Sequence, residues 1–369
     1  MRKAVQYLCM AMVASLMFSC SSKPNLMLPT RQVDYRNKSE ITIKGRLVIN
    51  DVLGAERMMV FDTLLMVTCN NPASQLMVYS TNTLQPIGGF CTRGRAGNEF
   101  LRLYSTTEQR YYDENHHVIV PLVDYMDVIK EVDVTESLNE QRTVIKKTTD
   151  IMPFVDAITV FIDNDTDNRF LYENAVTTTR VEENNRIHEL DKTRIPVRIS
   201  TQKAGDEMQE IPLFRRKVDV SDERDVIMPY AALIKKHPQR NLIVYECLNM
   251  DYLLFIDLDD NEKSFAIHQK GSTTFDDTYI DSGEYFIGCA TATDYLFVLY
   301  YHGDYTLKNK DSGQMLPELL AFDWTGNLIK SFKMDREIFG LAYDELHKIL
   351  FCLNTTEDLY AYDLNGMIP

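Results

Sequence analysis

The feature that most constrains this chain is a strand–turn–strand unit that it states three times. Leu319-Leu320-Ala321-Phe322-Asp323-Trp324 is an apolar run closed by an aspartate and the only tryptophan. Thr325-Gly326-Asn327 then turns, and Leu328-Ile329-Lys330-Ser331-Phe332 resumes the β pattern. The same shape recurs at Phe255-Ile256-Asp257-Leu258-Asp259-Asp260-Asn261 and at Ala361-Tyr362-Asp363-Leu364-Asn365-Gly366. Glycine and asparagine reach positive φ at little cost, and an aspartate at a strand end accepts hydrogen bonds from the N–H groups of its own turn. Repetition of such a unit points to a repeat architecture. Asp257, Asp323 and Asp363 are therefore read as structural turn positions. Trp324 is read as packing, because Leu258 and Leu364 fill its place in the other two copies.

From Ile41 onward the pattern is β almost throughout, with six blade-sized units. They run over about 58–90, around 111–134, 157–199, 228–269, 285–333 and 339–364. Thr135 to Glu140 reads as a short capped helix or turn. The last unit has room for only three strands before Pro369. The N-terminal strand Ile41–Ile49 can complete it and close the ring, which leaves little unpaired edge. The expected fold is all-β, a six-bladed β-propeller, with five or seven blades as alternatives because the middle units are ambiguous. Twenty Tyr and 17 Phe beside 15 Gly and 12 Pro suit such a β-rich chain. A formal charge of −15 argues against nucleic acid as a partner, since phosphate binding needs a basic face.

The first residues are targeting sequence rather than fold. Arg2 and Lys3 precede an apolar stretch from Ala4 to Phe18, too short to span a bilayer comfortably, and Ser19-Cys20 ends it. This is the layout of a bacterial lipoprotein signal, with cleavage before a lipid-modified Cys20. The domain plan is a signal at 1–19, a lipidated tether at 20–38 and one propeller domain at 39–369. Ser21-Ser22-Lys23-Pro24 carries no acidic cluster, so the expected location is the outer membrane on its periplasmic face. Five cysteines remain in the domain (Cys69, Cys91, Cys247, Cys289 and Cys352), mostly inside apolar runs, and they read as buried free thiols. A single local bridge such as Cys69 to Cys91 stays open as an alternative.

Two stretches carry a family likeness: Leu316 to Asn327 followed by Leu341-Ala342-Tyr343-Asp344-Glu345, and Arg93-Gly94-Arg95-Ala96-Gly97-Asn98-Glu99-Phe100. With them the chain resembles the TolB-like six-bladed β-propeller lipoproteins of Gram-negative gut anaerobes. That family usually has Gly-Pro where this chain has Ala96-Gly97. The resemblance implies architecture and location, and no particular chemistry.

Candidate chemistry is sparse. Arg93, Gly94, Arg95, Gly97, Glu99 and Phe100 form a glycine-rich loop that could cradle an anion, although it lacks the Gly-Lys-Ser/Thr ending of a phosphate loop. The structural alternative is an inter-blade connection in which Glu99 bonds turn N–H groups and Phe100 packs between blades. Asp163 to Asn168 alternates carboxylates as calcium loops do, without the loop glycine or the final bidentate glutamate. No cofactor is expected, and calcium is the cation to consider. His116-His117, flanked by Asp113 and Glu114, falls short of a zinc ligand set, and no metal site is assigned. No Gly-x-Ser-x-Gly elbow occurs. The expected role is a non-catalytic binding or scaffold module for an envelope protein, a peptide or a glycan. The alternative is a metal-dependent hydrolase, lactonase or lyase with carboxylates and a histidine converging in the central funnel.

Overall fold

The computed structural model describes residues 26–36, 38–104, 108–125, 128–150, 211–215, 232–270, 284–305 and 316–369, together with the backbone of strands between 157 and 219. The signal, Cys20 and the 163–168 loop lie outside the described residues.

After β1 (Thr30–Val33) and β2 (Arg46–Ile49), the first blade is a meander of β3 (Ala55–Phe61), β4 (Leu64–Cys69), β5 (Leu76–Ser80) and β6 (Pro86–Phe90). In the second blade the inner strand is broken into β7 (Leu103–Tyr104) and β8 (Tyr111–Tyr112), which pair with opposite ends of β9 (Val118–Asp124). β10 (Val128–Asp133), a helix α1 (Val134–Glu140) and β11 (Ile145–Asp150) complete it. Asp133 caps α1 by accepting from the Glu136 amide.

A further antiparallel sheet follows, ordered β12 (Ala157–Ile162), β13 (Phe170–Ala175), β17 (Val197–Gln202) and β18 (Gln209–Pro212). Short pairs accompany it, β14 (Val181–Glu183) with β15 (Arg186–His188) and β16 (Thr193–Arg194) with β19 (Val218–Asp219). The third blade is β20 (Ala232–Lys236), β21 (Leu242–Cys247), β22 (Tyr252–Asp257) and β23 (Phe265–Gln269). The fourth is β24 (Glu284–Thr291), β25 (Tyr295–Tyr305), β26 (Glu318–Asp323) and β27 (Leu328–Lys333). The fifth is β28 (Gly340–Asp344), β29 (Ile349–Leu353) and β30 (Leu359–Asp363), completed on its outer edge by β2.

These five sheets pack face to face in the order third, fourth, fifth, first, second. Successive side chains on a strand point to opposite faces, so a strand buried on both faces reads as a continuous apolar run. Met58 and Val60 of β3 face the fifth blade, whereas Met59 between them faces the second. Val244 of β21 faces the fourth blade, and its neighbours Ile243 and Tyr245 point the other way. The protein is an all-β propeller. Five blades are built from described side chains, one fewer than the six that the sequence predicts.

The repeated aspartate does its expected work. Asp323 Oδ1 accepts from the Thr325 and Asn327 amides, each at 2.9 Å, and Gly326 takes φ +76°. Asp257 accepts from Asp259 and Asp260, and Asp363 from Asn365. Trp324 lies between the third and fourth blades, and its Nε1 donates to Ala292 O at 2.9 Å. The five domain cysteines are buried and free.

The N-terminal segment departs from the tether reading. From Leu26 onward it is built into the rim, because its apolar residues find partners there. Leu26 and Leu28 join the third-blade core, and β1 adds to the edge of β23 as a parallel strand. Tyr35 is fully buried; its hydroxyl donates to Asp251 at 2.5 Å, and Gln269 Oε1 accepts from the Tyr35 and Arg36 amides. Thr42 then bridges Lys333 on the fourth blade before β2 reaches the fifth.

Candidate functional site

A cavity of about 410 Å³ opens on the propeller axis at the C-terminal ends of the inner strands. β3 brings Val60 and Phe61, β20 brings Lys235 and Lys236, β24 brings Thr291, and β28 brings Tyr343 with Leu346 beyond it. The second blade contributes Glu108, Gln109 and Arg110, which lie between the two halves of its broken inner strand. That break lets charged residues occupy the axis where a continuous strand would present regular pleats.

Glu108 is the charge hub. The Lys235 ammonium is paired with its Oε1, and Arg57 Nη1 lies 3.8 Å from the same oxygen. Arg110 donates from Nη1 to Glu108 O at 2.9 Å. Burial lowers the Arg110 guanidinium, while Glu108 and Glu345 pull it back up. Two cations therefore share one carboxylate oxygen, and a third holds the same residue's carbonyl. Behind them lies Glu246, fully buried, with the Cys289 thiol beside its carboxylate. Desolvation raises it to about 7, against the lowering influence of Cys289 and Lys235.

At the rim, Glu345 accepts from the Thr293 amide at 2.9 Å, and Asp62 accepts from the Tyr112 hydroxyl at 3.0 Å. His237 uses Nδ1 to accept from the Gln239 and Arg240 amides, and its Nε2 lies 3.1 Å from Thr293 O. Burial, reinforced by Arg240, holds it down at about 4. The ring is thus a neutral loop clasp. Asp62 also borders a shallower cavity between the first two blades, lined by Tyr112, His116 and Leu138.

The glycine-rich loop stands away from this cavity. Glu99 Oε2 accepts from the Ala96 amide at 2.8 Å and lies over Gly94, where a Cβ would overlap its carboxylate. Arg93 donates to Asn70, and Phe100 is buried between the first two blades beneath the Lys130 ammonium. Arg95 and Gly97 are exposed. Arg93 and Glu99 are thus engaged in holding the inter-blade turn.

Among the described residues, one group brings three metal-type donors together: Asp113, His117 and Asp133, on the β8–β9 turn and at the start of α1. Its atoms already have partners. His117 Nδ1 lies 2.8 Å from Asp133 Oδ2, the other Asp133 oxygen caps α1, and the Lys146 ammonium pairs with Asp113. Those bonds hold Asp113 down at about 2, and the Asp133 contact raises His117. The imidazole and the resident ammonium make a poor seat for calcium, which takes six to eight oxygen ligands.

No family model and no curated protein matches the chain. Among solved structures it is similar to Raptor from Chaetomium thermophilum, at 11% identity and TM-score 0.47 over 87% of this chain. It spans only 29% of Raptor's length. It is also similar to the Neurospora crassa Pan2 WD40 domain (9% identity, TM-score 0.41, 88% of this chain and 82% of that one). A third likeness is to BBS1N in its complex with ARL6DN (10% identity, TM-score 0.42, 82% and 74%).

The axial residues were not legible as a motif. Glu108, Arg110, Lys235 and Tyr343 come from three blades and share no linear spacing. The only local signal is the polar Glu108-Gln109-Arg110 run placed where an inner strand belongs.

Proposed function

We propose that this chain is an exported lipoprotein, anchored through Cys20 at the outer membrane and facing the periplasm, that works as a non-catalytic binding module. Its partner is an envelope protein or peptide, held on the face where the axial cavity opens. The observation that carries this reading is the cavity itself, to which all five described blades contribute side chains. Loops gathered from every blade make a broad concave surface suited to a partner. The axial carboxylate and histidine are spoken for: Glu108 neutralises Lys235, and His237 clasps its own loop. The exposed rim side chain Leu346, 63% accessible, supplies apolar contact.

The same reading makes the chain a TolB-like propeller of six blades. Ile211, Leu213 and Phe214, at and just after the end of β18, pack on the third-blade face opposite the fourth blade. The β12–β18 sheet then fills the gap between the second and third blades. Electron-microscopy averages viewed down the axis should show six lobes, and five would reject this count.

The binding reading is tested with a photo-crosslinking residue at Leu346, compared with the same residue at Leu47 on the outer strand β2, in living cells. Discrete adducts from Leu346 and none from Leu47 are expected. Equal labelling at both positions, or none at either, would refute a binding face on the axis.

A further inference from the structure

We propose that the axial cavity is a monocarboxylate site, in which Arg110 and Tyr343 hold the carboxylate and the Val60–Phe61–Leu346 wall receives the apolar body attached to it. This deepens the binding reading above and rests on it.

Two independent observations point to a ligand. Tyr343 is 4% accessible and lines the cavity, its ring packed on Phe297 with centroids 4.5 Å apart. Its buried hydroxyl has no hydrogen-bond partner among the described residues. A buried donor of this kind is costly to leave unpaired, so a ligand acceptor would relieve it. Arg110 is the second donor. It lines the cavity and, among the described residues, makes one side-chain hydrogen bond, through Nη1, with Glu345 as a nearby negative group.

Charge selects the ligand class. The protein carries a formal charge of −15, yet Lys235 and Arg110 line the cavity beside Glu108, whose carboxylate is paired with Lys235 and lies 3.8 Å from Arg57. Glu246, raised by burial to about 7, offsets them only in part near neutral pH. Lys236 is engaged by Arg240 O. The rim carboxylates Glu345 and Asp62 oppose a second negative charge, and a dianion such as phosphate would meet both. One guanidinium and one neutral hydroxyl suit a single planar anion, which arginine grips through its fork. Val60, Phe61, Pro238 and Leu346 supply apolar lining to the same cavity.

The carboxylate could belong to a free organic acid or to a peptide carboxy terminus, and the test separates them. Binding of 3-phenylpropanoate and of N-acetyl-Ala-Ala-Phe to the full-length protein is measured by calorimetry, each beside its carboxamide, with inorganic phosphate as a further probe. At least one acid should bind about tenfold or more tighter than its amide and than phosphate, the loss expected when a charged hydrogen bond is removed. The tighter acid names the source. Tyr343→Phe, which removes only the orphan hydroxyl and should fold normally, is expected to weaken that acid several-fold. Arg110→Gln should weaken it by about tenfold or more. Amides or phosphate binding as well as the acids, no acid binding below about 10 mM, or Tyr343→Phe and Arg110→Gln without effect would overturn the proposal. Adducts at Leu346 without carboxylate selectivity would sink this inference and spare the binding face. Carboxylate binding without adducts would keep the site and reject a protein partner on this face.

Discussion

Lys235 and Glu108 pair across the propeller axis and join the third blade to the second, the two ends of the packed arc of five. Their side chains are 8% and 10% accessible, so the pair is largely dry. Removing one partner of a buried pair strands the other charge, at about 3–5 kcal/mol. Glu108→Gln is expected to lower unfolding free energy by that order, because Lys235 and Arg57 both lose their carboxylate. The double variant Glu108→Met/Lys235→Met should cost clearly less than the sum of the two single changes. Urea titration of the four proteins reads this, and strict additivity would show that the pair is not coupled.

Glu246 sets a pH dependence. Its folded-state value of about 7 exceeds the ordinary 4.5, so the native state holds the proton more tightly than the unfolded chain. The associated stability is complete below about 4.5 and is lost as pH rises through about 7, a total of roughly 3 kcal/mol. Glu246→Gln should match the parent near pH 5 and exceed it at pH 8 by roughly 2–3 kcal/mol. Identical pH profiles for the two proteins would rule Glu246 out as the source.

Trp324 serves the third–fourth blade interface twice, by packing and through its bond to Ala292 O. Trp324→Ala is expected to cost about 3–5 kcal/mol through the cavity it leaves. Trp324→Phe should cost about 1–2 kcal/mol, mainly from the stranded carbonyl. Since Trp324 is the only tryptophan, the parent's emission should move to longer wavelength in step with loss of β circular dichroism. An emission change well ahead of the dichroism would mean this interface opens separately.

Tyr35 fastens the N-terminal segment to a buried carboxylate. Asp251 also receives the Tyr300 hydroxyl at 3.0 Å, and Arg36 lies 3.5 Å from it. Burial nonetheless raises Asp251 to about 6, opposed by the hydrogen bonds from Tyr35 and Tyr300 and by Arg36. Tyr35→Phe should destabilise by about 1.5–3 kcal/mol at pH 7.5, where Asp251 is charged. At pH 4.5 the loss should shrink. Hydrogen exchange would show the change first in the amides of residues 30–36, and uniform exchange across the molecule would contradict a local fastening.

Cys20→Ser is expected to abolish incorporation of labelled fatty acid and to leave the Ala4–Phe18 signal uncleaved. Unchanged incorporation of labelled fatty acid would reject lipid anchorage at this residue.

Much of the fold was readable because its signals are local. An aspartate closing its own turn needs only two to four following residues, which is why Asp257, Asp323 and Asp363 could be read in advance. Asp344 and Asn354 use the same device without having been singled out. A missing last strand could be counted, and β2 fills it. The rim segment from Leu26 to Tyr35 was misread because its partners, Phe214, Asp251 and Ala266, lie far away in sequence. The axial cavity was unreadable for the same reason.

The belt formed by β1, Thr42 and β2 has a mechanical consequence. It runs along the outer edges of the third, fourth and fifth blades in turn. A tug on the chain upstream of Leu26 therefore acts along β1, whose ladder with β23 must slip as a unit. The belt resists as a sheared ribbon, and the axial face at the ring's centre is spared the strain.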